Sequence, residues 1–274
     1  MSQEKIDYWH NPILPDMELS HARFQNFEFE QHVHLDYHVG VVTQGGQKYS
    51  HKGENYRLHK GYISTLNPDE SHNGQSINNE AYQAYVMSIP VDYVTQIATE
   101  LNQTEHFFST PLNQTQDLYS YFLKLHHILT QPHTSSNQLQ IETSLMAFCT
   151  ELFMRYGSHN SLNPIGISSL HKDFSDIKAR FHDEMHLSFG LEELSTSVGL
   201  SKFQFLRQFK SATGMTPHAY LKRVRLEYAK RALAKGSTVT DIAHKVGFFD
   251  QSHFNKAFKN AFLITPSHFQ KQVK

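Results

Sequence analysis

From Ser237 to Lys259 the chain reads STVTDIAHKVGFFDQSHFNKAFK, and its apolar positions recur at helical spacing. Val239, Ile242, Ala243 and Val246 form the stripe of a short helix. Gly247 stands where a positive φ ends it, and Asp250 suits the N-cap of a second helix. Phe254 and Phe258 mark the inner face of that second helix; Gln251, Ser252, Asn255 and Lys256 mark its outer face. Leu191 to Lys210 repeats the pattern. Leu191, Leu194, Ser195 and Val198 match the stripe at an offset of 48, and Gly199 matches Gly247. Ser201 then matches Asp250 at an offset of 49, followed by Phe205, Phe209 and Lys210 opposite Phe254, Phe258 and Lys259. The outer face of this copy holds Lys202, Phe203, Gln204, Arg207 and Gln208. Each copy runs into a Thr-Pro pair, Thr216-Pro217 and Thr265-Pro266, which starts another helix. Tyr220, Leu221, Val224, Ala229 and Leu233 predict a helix joining the copies.

The first half reads differently. Val33, Leu35, Tyr37 and Val39 alternate with His32, His34, Asp36 and His38, which predicts one strand with two unlike faces. Gln44-Gly45-Gly46-Gln47 has hairpin-turn chemistry. Strand-like runs follow at 47–51, 62–66 and 81–89, so residues 24–87 predict a small barrel or sandwich. After Pro90 come three helical stripes: Val91, Val94, Ile97, Ala98 and Leu101; then Leu118, Phe122, Leu125 and Leu129; then Ile141, Leu145, Phe148 and Leu152. The 4-3-4 rhythm of the third suits either packing within the chain or a dimer seam. Residues 157–169, GSHNSLNPIGISS, predict a linker.

A chain of 274 residues accommodates two domains, 1–90 with a helical segment 91–156, and 170–274 after the linker. The net charge of -1 conceals a division. Residues 1–170 hold 8 Lys and Arg against 17 Asp and Glu; residues 171–274 hold 17 against 9. Only the second half is suited to a polyanion. Lys222, Arg223, Arg225, Lys230 and Arg231 concentrate positive charge in the joining helix. The single cysteine, Cys149, leaves no intrachain disulfide, no run is long and apolar enough for a membrane, and the first residues lack signal-peptide character. A cytoplasmic protein without a membrane partner is expected.

SKFQFLRQFKSATGMTPHAYL and IAHKVGFFDQSHFNKAFK, with LKRVRLEYAKRAL between them, resemble the DNA-binding domain of the AraC/XylS family of transcription regulators over residues 171–274. The resemblance implies that Phe203, Leu206 and Arg207 face bases from one reading helix and Gln251, Ser252 and Lys256 from the other. Asn255 and Lys259 would meet phosphates. Two reading helices on a rigid connector would enter major-groove segments about 10 bp apart. Ser195 stands where the family usually has alanine, and Leu263 where it usually has glycine, which leaves the turn before Thr265 in question.

Thirteen of the 20 histidines precede residue 171. His32 and His34, then Gly61, Pro68 and His72, resemble a cupin barrel over residues 24–90. In cupin enzymes two such histidines, a carboxylate and a later histidine hold a divalent metal, so His32, His34 and His72 are metal candidates; the glutamate after H-x-H is missing, and Asp36 and His38 replace it imperfectly. The same histidines would equally line a metal-free pocket with Tyr37, Tyr49 and Tyr62. No nucleophile, base and orienting group occur together, so no catalytic residue and no enzyme are expected.

The fold class expected is α+β and multidomain: a cupin-like barrel with a helical dimerisation segment, then an all-α double helix-turn-helix domain. The function expected is a homodimeric, ligand-responsive regulator, more an activator than a repressor. Its partners would be promoter DNA, a small-molecule effector and RNA polymerase. The alternatives are a metal-dependent cupin enzyme with a DNA-binding tail and a constitutive DNA-binding dimer.

Overall fold

The computed structural model describes residues 4–11, 14–100, 107–131, 138–157 and 174–273. The expected linker lies outside the described residues except for Gly157. The chain forms two compact units, residues 1–30, 34–162 and 272–274 in one, 31–33 and 163–271 in the other.

The first unit is a two-sheet barrel with three helices. Its six-stranded sheet runs β1(Lys5–Asn11)-β2(Leu14–Phe24)-β9(Tyr82–Ile89)-β4(Tyr37–Gln44)-β7(Tyr62–Leu66)-β10(Leu112–Gln114). The four-stranded sheet runs β3(Phe29–His32)-β8(His72–Ser76)-β5(Gln47–His51)-β6(Glu54–Leu58). The β structure therefore begins at Lys5, well before the stretch where alternation is clear. The alternating run at 32–39 is not one strand: β3 ends at His32, β4 begins at Tyr37, and the two lie in different sheets. The connection has to bend, and the Asp69 N–H donates to His34 O at 2.8 Å to hold it. Nor do the strands flanking Gly45-Gly46 pair with each other; that turn carries the chain from one sheet to the other. Gly45 has φ +65, and a Cβ there would meet Ala81 O at 2.4 Å, so glycine is obligatory. The true two-residue hairpin is β5–β6, turning at Lys52 (φ 50) and Gly53 (φ 84).

α1(Val91–Glu100), α2(Gln116–Leu129) and α3(Gln138–Tyr156) follow. Met17, Leu19, Val39, Val41, Ile63 and Met87 from the large sheet meet Phe122, Leu125, Leu145 and Phe148 in one buried core. The third stripe, Ile141, Leu145, Phe148 and Leu152, is wholly inside that core, so it packs within the chain and is not a dimer seam. Leu101 lies outside the described residues.

The second unit is helical: α4(Ser175–Asp183), α5(Leu191–Ser197), α6(Lys202–Thr213), α7(Pro217–Ala234), α8(Val239–Lys245), α9(Gln251–Phe262) and α10(Pro266–Val273). Pairs α5–α6 and α8–α9 are the two copies of the repeat, and α7 joins them. Phe205 and Phe209 in one copy and Phe254 and Phe258 in the other are fully buried. Ser195 is buried and its hydroxyl donates to Glu192 O at 3.0 Å, which satisfies the polar atom that replaces the family's alanine.

Leu263 answers the question of the second turn. It adopts φ 66, as Gly214 adopts φ 72 after α6, and each N–H closes the helix on a carbonyl four residues back, Lys259 O and Lys210 O. The turn is conserved in shape with a residue that strains to make it. Leu263→Gly is therefore expected to raise unfolding stability by roughly 0.5–1 kcal/mol, measured by urea titration; a loss of stability would mean that packing of the leucine side chain outweighs the backbone strain.

Candidate nucleic-acid interface and sensor pocket

The start of each reading helix is built by its cap. The Ser201 hydroxyl accepts the Gln204 N–H at 3.2 Å while Gln204 Oε1 accepts the Ser201 N–H at 3.0 Å, a reciprocal capping box. Asp250 Oδ1 accepts the His253 N–H at 2.7 Å. With the phenylalanines buried on one side, the opposite side of α6 exposes Lys202, Gln204, Leu206 and Arg207, and that of α9 exposes Gln251, Ser252, Lys256 and Lys259. Phe203 occupies the second position of α6, and its side chain is outside those described.

The internal bonds of these residues differentiate them. Lys202 Nζ is 2.9 Å from Glu192 Oε2, and Gln251 Oε1 accepts the Thr240 hydroxyl at 3.1 Å. Asn255 is half-buried with its Oδ1 turned inward and unbonded. Among the described residues, Arg207, Lys210, Lys256 and Lys259 are exposed and make no ion pair. The basic residues of the joining helix contrast with them. Arg223 Nη2 lies 2.6 Å from Glu227 Oε1, and its guanidinium sits over the Phe262 ring. Arg225 donates to Met185 O and Leu187 O, both at 2.7 Å. Lys230 lies over Phe262 and Phe269, and Arg231 over Tyr228. The charge that looks available on α7 in sequence thus largely braces the helices around it.

Phe249 is a feature that the apolar pattern does not single out. It precedes the Asp250 cap and is 89% exposed, whereas its neighbour Phe248 packs edge-on against Phe254.

In the first unit the expected pocket residues divide: His34 and His72 each offer a ring nitrogen within 4.8 Å of the other, and the tyrosines take separate places. His34 stacks on His38, with ring centroids 4.0 Å apart, and lies 5.0 Å from the His72 ring. His72 is buried, with Nδ1 3.2 Å from Glu70 O. His32 ends β3, the strand beside β8, which begins at His72. Tyr37 turns into the sheet–helix core, edge-on to Phe108 and Phe153; burial, with the charge of Glu70, pushes its phenol up to about 12. Tyr49 is buried in the small sheet, stacks on Tyr56, and donates to Pro111 O at 2.7 Å. Tyr62 is half-buried at the start of β7.

A cavity of about 230 Å³ lies nearby, lined by His51, Lys52, Glu54, Tyr56, Glu70 and Phe108 among others. Of the pocket residues expected from sequence, none is in this lining. Inward alternation on β5 and β6 is the signal that points to His51 and Tyr56.

Comparison with known proteins agrees with both halves. Residues 14–149 match the AraC-like ligand binding domain and residues 194–272 a helix-turn-helix domain. The HTH-type transcriptional regulator YbfI of Bacillus subtilis is 25% identical over 87% of this chain and 86% of its own length. The HTH-type transcriptional activator RhaS of Klebsiella pneumoniae is 26% identical over 89% of this chain and 88% of its own. An apo ToxT structure from Vibrio cholerae aligns with a TM-score of 0.60 at 16% identity, covering 97% of this chain and 100% of that one, which supports the fold. Fold and matches define a transcription regulator with a ligand-binding domain and a helix-turn-helix DNA-binding domain. The chain belongs to the AraC/XylS family.

No described helix is long and apolar enough to cross a membrane.

Proposed function

We propose that this regulator reads two unlike DNA half-sites with α6 and α9 and answers to a small metabolite bound by its first unit. The observation that carries the reading is the distribution of cations: on the reading helices Arg207, Lys210, Lys256 and Lys259 stand exposed without an acidic partner among the described residues, while on α7 Arg223, Arg225, Lys230 and Arg231 are engaged by a carboxylate, carbonyls and rings. A cation held ready in this way gains most from a phosphate or a guanine edge. Arg207 is assigned to base readout and Leu206, 36% exposed, to a thymine methyl. Gln251, Ser252 and Lys256 would read the second half-site, with Lys259 on a phosphate. Gln204 and Lys202 are less available than their positions suggest, since cap and ion pair compete for them. Asn255, turned inward, supports α9 more than it contacts DNA.

Selection of bound sequences from random DNA, with and without metabolites, tests the reading. It should return two half-sites of different sequence; identical half-sites, or no preference, would overturn it. Lys259→Ala should weaken cognate and random DNA alike and reduce the slope of log affinity against log salt by about 1. An unchanged slope would remove Lys259 from the phosphate contacts.

Activation of transcription fits the naming of RhaS as an activator, and it implies contact with RNA polymerase. A homodimer fits the same scheme. With the 4-3-4 stripe of α3 internal, the outer face that exposes Met146 and Met154 is the surface we assign to the partner protomer.

The sensor chemistry supports binding rather than catalysis. His34 and His38 pack ring on ring and His72 faces a carbonyl, an arrangement suited to a pocket wall. Metal analysis of the purified chain tests the competing reading: stoichiometric metal lost in His34→Ala and His72→Ala would favour a metal-dependent cupin.

A further inference from the structure

We infer that the cavity beside the β5–β6 hairpin binds a free α-amino acid with a short apolar side chain, through Lys52 and Glu54. This rests on the ligand-responsive reading above and gives that ligand a place and a chemical class.

The cavity has fixed walls. Asn67 Oδ1 accepts the Phe108 N–H at 2.7 Å and Asn67 Nδ2 donates to Phe108 O at 3.1 Å. Thr65 Oγ1 donates to Thr110 O at 2.8 Å, and its N–H to Pro111 O at 3.0 Å. Segment 108–111 is thereby pinned opposite the hairpin. Glu70, in the cavity lining, is already engaged on both oxygens. Its Oε2 accepts from His51 Nε2 at 2.9 Å and from Asn67 Nδ2 at 3.1 Å, and its Oε1 pairs with Lys52 Nζ. Burial pushes this carboxyl's pKa up, but the hydrogen bonds from His51 and Lys52 outweigh that and hold it at about 2. It is a fixed structural anion, held on both oxygens by protein donors.

Two groups retain capacity. The Lys52 ammonium has donors beyond the one given to Glu70. Glu54 Oε2 accepts the Tyr56 hydroxyl at 2.7 Å, and its Oε1 has no protein donor among the described residues. They flank Gly53, so a cation with spare donors and an anion with a spare acceptor stand two residues apart at the same cavity. Lys52 is also held at φ 50, a conformation a lysine adopts at a cost and keeps only when its surroundings fix it. Phe108, Pro111 and the Tyr56 ring supply the apolar surface.

A ligand with one charge would engage only one of the two groups. A carboxylate alone would meet the uncompensated charge of Glu54, and an amine alone would leave the spare donors of Lys52 unused. An adjacent carboxylate and ammonium match both. Size narrows the choice: a cavity of about 230 Å³ holds about eight waters at the density of the liquid, which suits an amino acid and is too small for a long acyl chain or a nucleotide.

Calorimetric titration of the full chain with L-leucine, L-methionine and L-phenylalanine tests this, beside 4-methylpentanoate, which lacks the amine, and isopentylamine, which lacks the carboxylate. At least one amino acid should bind, and both analogues at least about tenfold more weakly. Lys52→Met should weaken the amino acid and spare isopentylamine; Glu54→Gln should weaken it and spare 4-methylpentanoate. No binding by any of the three amino acids, equal affinity for an analogue, or variants that keep full affinity would overturn the assignment. The analogue comparison on the unmodified chain holds whether or not a variant folds. Sequence-specific DNA binding with silent calorimetry would reject the amino-acid site and leave the regulator; amino-acid binding without DNA selectivity would reject the regulator and leave the site.

Discussion

Phe209→Ala should destabilise the helical unit by about 3–5 kcal/mol, the range for deleting a buried aromatic ring. Phe209 is fully buried and touches four other rings, those of Phe174, Phe181, Phe205 and Tyr220, which come from α6, α7, α4 and the residue before α4. No single neighbour can collapse into the space it leaves, so the cost belongs at the upper end of the range. Phe249→Ala is the control. At 89% exposure it removes almost no burial, and stability should change by less than about 0.5 kcal/mol. Urea unfolding followed by helical circular dichroism measures both. Two similar values would mean that the first helix-turn-helix does not depend on its aromatic centre.

Arg207→Ala should weaken binding to the selected DNA site by about 1–3 kcal/mol, roughly tenfold or more, and leave binding to random DNA nearly unchanged. The structure strengthens this expectation. Arg207 is exposed on α6 without an ion pair among the described residues, so the substitution breaks nothing inside the fold. Titration of the cognate and a scrambled duplex at one salt concentration measures the difference. An equal loss on both would reassign Arg207 to the phosphates. Arg223→Ala is the instructive opposite: it removes the ion pair to Glu227 and the guanidinium over the Phe262 ring. Its effect should appear in stability before it appears in DNA binding.

How legible the protein was in sequence depended on the range of its contacts. The two helix-turn-helix copies are local. Caps at Ser201 and Asp250, left-handed turns at Gly199 and Gly247, and phenylalanines one helical turn apart each act within a few residues, so spacing reveals them. The barrel is assembled from distant pairs. Leu19 lies beside Met87 and Val39 beside Thr65, and no local pattern names those partners. For the same reason the 32–39 alternation read as one strand although it belongs to two, and the polar first residues hid β1 and β2.

The residue types, their order and their periodicity were enough for the double reading head, its caps, the acidic and basic halves and the family, because each depends on short-range geometry or on totals. Which charges are open depended on the folded chain. Arg207 and Arg223 are alike in sequence, yet one faces solvent and the other is clasped by Glu227. Phe248 and Phe249 are adjacent and identical, yet one is core and the other surface. The cavity beside the β5–β6 hairpin is likewise tertiary: Lys52, Glu70 and Phe108 meet only because hairpin, crossover and loop converge there, and hydrogen bonding then decides which of their polar atoms are engaged within the chain.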